Sequence, residues 1–336
     1  MAPVVLHCSW NQDQSFLSVG TETGFQIYQC DPFTLRFSKE TNGVAFCEML
    51  NRSSLVALVQ VSPASTRLLK LIDIKKDVEL CDMFYPAPVL NARLTVTRLV
   101  VVIKGSIYVY NLKNLNLINT LATISSNKIA FCAHESFIAY NSPQVPGHVY
   151  LTSLETAMPI TLLYCHSSPV RCIEFHPDGR LIATASAKGT VIRIMSTLTG
   201  EKVMELRRGY LPASVVSIAF HPKEPFLACA SENGTIHIYR LSKQTVSETN
   251  HSPASSVSNS SSWSKFLKSN VTKPLEARRE FATAKIPESS FYGKIVFCAS
   301  KPHVQVISYS GQYYRFVVDL KHGGNCAMLE KYILDE

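Results

Sequence analysis

The sequence predicts an all-β chain folded as a single domain, a seven-bladed β-propeller. Three observations carry that prediction: short apolar strand-like runs at even spacing, an internal repeat of about 45 residues, and little helical periodicity. The clearest copies, Phe175–Thr190 (FHPDGRLIATASAKGT) and Phe220–Thr235 (FHPKEPFLACASENGT), align without a gap at an offset of 45, and Trp10–Gly24 repeats them more loosely. Each copy reads as a strand, a polar turn, a short apolar strand, a Gly-bearing turn and a third, alternating strand. Phe25–Tyr28, Val191–Ile194 and Ile236–Tyr239 are those third strands, and Ile107–Tyr110 ends a fourth, more diverged copy. Dividing 336 residues by seven leaves 48 per blade, which suits seven blades with one enlarged loop. Closing the ring removes exposed sheet edges, so 1–336 is reasonable as one domain. The Trp-Asp dipeptide of many such repeats is missing, which makes these degenerate WD40 repeats.

The composition, 46% apolar, 10% aromatic and 17% charged, supplies a large core and excludes wholesale disorder. The longest apolar run, Leu99–Ile103, is stopped by Lys104, far short of the ~20 residues of a membrane-spanning helix. The start of the chain lacks the basic and apolar regions of a signal peptide, so the expectation is a soluble, cytosolic protein. Ten cysteines are scattered without a Cys-x-x-Cys pair, the closest two being Cys165 and Cys172. They read as reduced, small core hydrophobes and support neither disulfides nor zinc.

The net charge of +8 fits attraction to an anionic surface, lipid or nucleic acid, and equally plain solubility. Half of it lies between Leu241 and Lys294, where eight basic residues face four acidic ones. Within that stretch 243–280 breaks the strand pattern. Eight of the fourteen residues from His251 to Ser264 are Ser, the composition of a flexible loop. Trp263, Phe266, Leu267 and Val271 then share one face of a short helix with Lys265 and Lys268 near its flanks, and Pro274 limits it. Such a face either enters a membrane interface or docks on the propeller. Strand pattern resumes at Phe281.

The chemistry gathers around Glu205-Leu-Arg-Arg-Gly209, at the junction of the two strong repeats. Successive side chains of a strand point to opposite sides, so Arg207 and Arg208 serve two separate sites on neighbouring blades. Around Arg207 the preceding blade supplies Thr184, Ser186, Gly189, Thr190 and Arg193; around Arg208 the following blade supplies Ser231, Thr235 and His237. Hydroxyls, free turn N–H groups, guanidinium and imidazole form a carboxylate-poor set of donors matched to a phosphate-bearing ligand. Both sets use the same repeat positions, Ser186 with Ser231 and Thr190 with Thr235. His176-Pro177 and His221-Pro222 occupy equivalent turns and read as structural.

These residues resemble a known family. Leu206-Arg-Arg-Gly209 is similar to the Phe/Leu-Arg-Arg-Gly signature of the PROPPINs, seven-bladed β-propellers that bind phosphoinositides, and Ala185–Arg193 resembles the segment upstream of it. Ser261-Ser-Trp-Ser-Lys265, Phe281–Lys285 and Gly323–Leu329 are similar to the WIPI branch with autophagy roles. The resemblance covers essentially the whole chain. It implies a first headgroup site of His166, Thr184, Ser186, Gly189, Thr190, Arg193 and Arg207, and a second of Arg208, Ser231, Thr235 and His237 with a contribution from Lys285. It further implies recognition of phosphatidylinositol 3-phosphate and the 3,5-bisphosphate without catalysis, and insertion of Trp263, Phe266 and Leu267 from a membrane-facing loop, 243–280, in blade 6. The implied setting is a monomer with no cofactor, peripheral on phagophore and endosomal or vacuolar membranes, working with autophagy machinery proteins. Some WIPI members dock a conjugation-machinery scaffold through basic residues between the second and third blades. Here that stretch, Tyr110–Asn116, keeps Lys113 among neutral residues, and the partner is not transferred.

Other classes fit less well. No Gly-x-Ser-x-Gly elbow, phosphate loop or metal-spaced His/Cys cluster favours an enzyme. The main alternative is a WD40-type protein–protein interaction scaffold without lipid binding. Nucleic-acid binding ranks third, because aromatics do not interleave with the basic residues as a stacking platform requires.

Overall fold

The computed structural model describes residues 4–62, 65–126, 129–241 and 278–334. They form seven sheets, each with four antiparallel strands connected in sequence order, at 5–40, 44–84, 89–122, 131–163, 170–207, 215–285 and 293–333. The sixth blade gains a two-residue parallel strand, Gly324–Asn325, against Ala282–Lys285. The ring closes by side-chain packing of the first blade on the last. Val5, Trp10 and Tyr28 share a cluster with Val296, Ile307 and Tyr313. Phe33 stacks on Tyr313 at 3.9 Å, and Arg315 Nη2 donates to the Cys30 carbonyl at 2.6 Å. The predicted seven-bladed propeller is the fold observed.

Burial explains why the repeats were legible. The second strand of a blade is sandwiched between neighbouring blades, so Leu181–Ser186 and Phe226–Ser231 are buried at every residue. Small residues there, Ala183 and Ala185 or Ala228 and Ala230, let the blades approach. Third strands such as Val191–Ser196 alternate, and outer strands such as Phe33–Glu40 face solvent. The same bulge recurs in the first strands of blades 5 and 6, at Val170/Cys172 and Val215/Ser217. Seven of the ten cysteines are buried, as small core residues. The His-Pro turns do the same job twice: His176 packs edge-on against Phe220 of the next blade, and His221 packs on Phe297. First strands surround an axial cavity of about 640 Å³.

Candidate functional site

Blade 5 comprises Val170–Phe175, Leu181–Ser186, Val191–Ser196 and Lys202–Arg207; blade 6 comprises Val215–Phe220, Phe226–Ser231, Thr235–Arg240 and Ala282–Lys285. In a meandering blade, the turn between second and third strands and the link into the next blade lie at the same end. The candidate residues gather at that end of blades 5 and 6. Gly189 (φ +61°) and Gly234 (φ +72°) close matching turns, each N–H donating to Ser186 or Ser231 carbonyl at 2.9 Å.

Cross-strand register shows how alike the two sites are. Val191 pairs with Arg207 and Arg193 with Glu205; in blade 6 Thr235 pairs with Lys285 and His237 with Thr283. Arg207 therefore matches Lys285, and Arg193 matches His237. Ser186 and Ser231 are equivalent, as expected. Thr190 and Thr235 are not in the same cross-strand position, because the blade 5 turn, closed by Ala185 and Ile192, is one residue longer than that closed by Ala230 and Ile236.

In the first site His166 Nε2 lies 3.0 Å from Thr184 Oγ1, which in turn donates to the Arg193 carbonyl at 3.4 Å. Burial, with the Arg193 charge adding to it, pushes the His166 imidazole down to about 4, so it is neutral near pH 7. Arg193 is already engaged: Nε donates to Glu205 at 2.8 Å and Nη1 to the Cys165 carbonyl at 2.6 Å. Lys202 donates to the same carboxylate at 3.3 Å. Burial alone raises the Glu205 carboxyl, but Arg193 and Lys202 outweigh it and hold the group below its ordinary range. The donor set thus includes one carboxylate, placed there by the Arg193–Glu205 register.

Arg207 has no carboxylate partner among the described residues; its guanidinium lies over the Tyr210 ring, 5.4 Å from the centroid. The chain returning from the blade 6 insertion is fastened beside it. Arg278 N donates to the Glu205 carbonyl at 3.0 Å, its own carbonyl accepts from Arg207 N at 2.8 Å, and Arg279 Nη2 donates to Tyr210 Oη at 3.4 Å.

The two arginines diverge as strand geometry requires, but Arg208 does not reach the second set. It is 7% exposed, and its guanidinium donates to the carbonyls of Gly189 (2.8 Å), Leu211 (2.5 Å) and Ala213 (3.4 Å). No hydrogen bond joins it to Ser231, Thr235 or His237. Burial, and to a lesser degree the Arg208 charge, lower the His237 pKa against an opposing pull from Glu280. His237 Nδ1 is buried with no hydrogen-bond partner. Asn233, missed in the sequence, organises this site. Its Oδ1 accepts from Ser231 Oγ (2.7 Å) and Thr235 N (3.2 Å), and its carbonyl accepts from Lys285. Asn-Gly is a turn signal that marks it. Trp263, Phe266 and Leu267, with Lys265, Lys268 and the rest of 242–277, lie outside the described residues. No described helix is long and apolar enough to cross a membrane.

A propeller with paired basic positions on adjoining blades defines the class of protein, and comparison supplies the family. The PROPPIN family model matches residues 5–334, and the chain belongs to the PROPPIN family. Over 336 residues it is 66% identical to autophagy-related protein 21 of Schizosaccharomyces pombe, covering all of both chains. It is 34% identical to autophagy-related protein 18 of the same organism, covering 95% of each. Among solved structures it is similar in fold to Kluyveromyces lactis Hsv2 (TM-score 0.83, 21% identity, all of both chains). It is likewise similar in fold to the propeller in a complex of KlAtg21 with the coiled coil of AgAtg16 (TM-score 0.80, 24% identity, all of both chains).

Proposed function

We propose that this chain is a non-catalytic effector that binds membranes containing phosphatidylinositol 3-phosphate or the 3,5-bisphosphate and supports autophagosome formation there with autophagy machinery proteins. The observation that carries the reading is Arg207: a guanidinium without a carboxylate partner among the described residues, at a position repeated in the next blade by exposed Lys285. Two cationic positions with Gly turns and hydroxyls on one rim suit two headgroups of one bilayer, where avidity multiplies modest affinities. In the first site Arg207 meets the phosphate. Arg193 joins it by exchanging its Glu205 contact, and neutral His166 with Thr184 orients that arginine from behind. In the second, Lys285, Thr235 and His237 face the ligand, and Ser231 shapes the turn. Arg208 supports the first by holding the turn of Gly189. The 243–280 insertion, with Trp263, Phe266 and Leu267, belongs to the proposal as a further membrane-facing element. The names of the 66% and 34% identical relatives support the autophagy setting.

The test is flotation on phosphatidylcholine liposomes with and without phosphatidylinositol 3-phosphate, comparing wild type with Arg207→Thr/Lys285→Ser. Lipid-dependent flotation of the wild type and its loss in the variant are expected. Equal flotation of the two refutes the lipid reading and leaves a protein-binding propeller.

A further inference from the structure

We propose that the link between blades 5 and 6 is itself a lipid-inserting wedge, with Tyr210 and Leu211 entering the interfacial layer of the bilayer between the two headgroup sites. The inference rests on the membrane reading above. A single exposed apolar residue is ordinary, but here two adjacent large ones stand out together, Tyr210 at 75% and Leu211 at 80% exposure. Gly209 precedes them and Pro212 follows.

The wedge is rigid. Arg208 fastens it through the carbonyls of Leu211 and Ala213, and Gly209 N on its other side donates to the Thr190 carbonyl at 3.3 Å. Ala213 N donates to the Lys188 carbonyl at 3.2 Å, and Ser214 N donates to Glu232 Oε1 at 2.9 Å. A tip already held in place loses little conformational freedom on insertion. This gives the buried arginine its role: it positions the wedge.

Its surroundings favour a lipid surface over an uncharged partner. The Tyr210 ring sits under the Arg207 guanidinium, and its hydroxyl accepts from Arg279. An amphipathic ring at the level of cationic headgroup ligands matches the place tyrosine takes at membrane interfaces. Lys188 and Arg278 are exposed close by; Glu280 is the exposed acidic neighbour, and the Glu232 carboxylate is engaged by Ser214. The links before and after repeat the pattern. Tyr164, following Pro159–Leu163, and Tyr292, preceding Gly293–Phe297, are both exposed at the same end of the ring. Three successive links thus place aromatic side chains along the rim that bears the candidate sites.

The experiment uses the full chain and two variants, Tyr210→Ser/Leu211→Ser and Leu211→Ser alone, which keeps the ring beneath Arg207. Affinity is measured for phosphatidylcholine vesicles carrying phosphatidylinositol 3-phosphate and for a water-soluble short-chain form of the same lipid. The double variant should lose about tenfold or more in vesicle affinity, and Leu211→Ser a smaller part. Both should keep wild-type affinity for the soluble lipid. Unchanged vesicle affinity overturns the wedge and leaves the tip to a protein partner. A matching loss toward the soluble lipid also overturns it, because the link then shapes the headgroup sites. If wild type itself ignores the lipid in vesicles, the membrane reading fails first, and the wedge with it.

Discussion

Gly189 and Gly234 close the same turn in adjacent blades, yet alanine at the two positions should have unequal consequences. Both have positive φ, +61° and +72°, where an L-residue costs about 1–2 kcal/mol. At Gly234 that is nearly the whole effect. A Cβ there stands 3.0 Å from the Glu288 carbonyl oxygen, which a shift of a few tenths of an ångström relieves. At Gly189 a Cβ falls 1.9 Å from the Ala213 carbonyl oxygen, and the turn and the link must separate by an ångström or more. That separation weakens Ala213 N to Lys188 O (3.2 Å) and the Arg208 bonds to Gly189 and Ala213. Two or three such bonds at about 1 kcal/mol each, added to the backbone cost, give about 3–5 kcal/mol for Gly189→Ala against about 1–2 for Gly234→Ala. With unfolding entropy near 2.1 cal/mol/K per residue, a chain of this length loses about 1.5 °C per kcal/mol. Calorimetry should therefore show drops of roughly 5–7 °C and roughly 2–3 °C. Equal drops would refute the claim that the blade 5 turn is locked to the 208–214 link.

Two further outcomes follow from the same geometry. Arg208→Ala strips three carbonyls of their donor, that of Gly189 in a buried setting, and should cost about 2–4 kcal/mol in urea denaturation, whereas Arg207→Thr should stay within about 0.5 kcal/mol; similar losses would mean the two guanidinium groups are not divided between structure and ligand. His166 gives a pH signature. Its folded pKa, about 4, lies below the ordinary 6.5, so between those values the unfolded chain holds more protons and stability falls as pH falls. From pH 7.5 to 4.5 wild type should lose about 2–3 kcal/mol more than His166→Gln. Parallel stability curves would show that His166 is not held neutral.

Much of the candidate site was legible along the chain because its signals are local. The 45-residue repeat reflects second strands buried on both faces, and a strand's period of two sends Arg207 and Arg208 to opposite sides whatever surrounds them. The two His-Pro turns are equivalent in sequence and meet equivalent phenylalanines in the next blade. Other features depended on partners distant in sequence. Glu205 neutralises Arg193 only because the third and fourth strands of blade 5 pair in that register. The extra residue in the blade 5 turn is invisible in an ungapped repeat that extends through Thr190 and Thr235.

The division is sharpest at the paired arginines. Local periodicity along the backbone was enough to establish the blades, their order and the divergence of the two side chains. Whether each guanidinium meets solvent or carbonyls depended on how the 208–214 link folds back over the turn of Gly189. No periodicity encodes that contact, because it is made by the irregular link between two blades and not by the strand pairing that repeats. The same folding-back leaves Tyr210 and Leu211 at the surface.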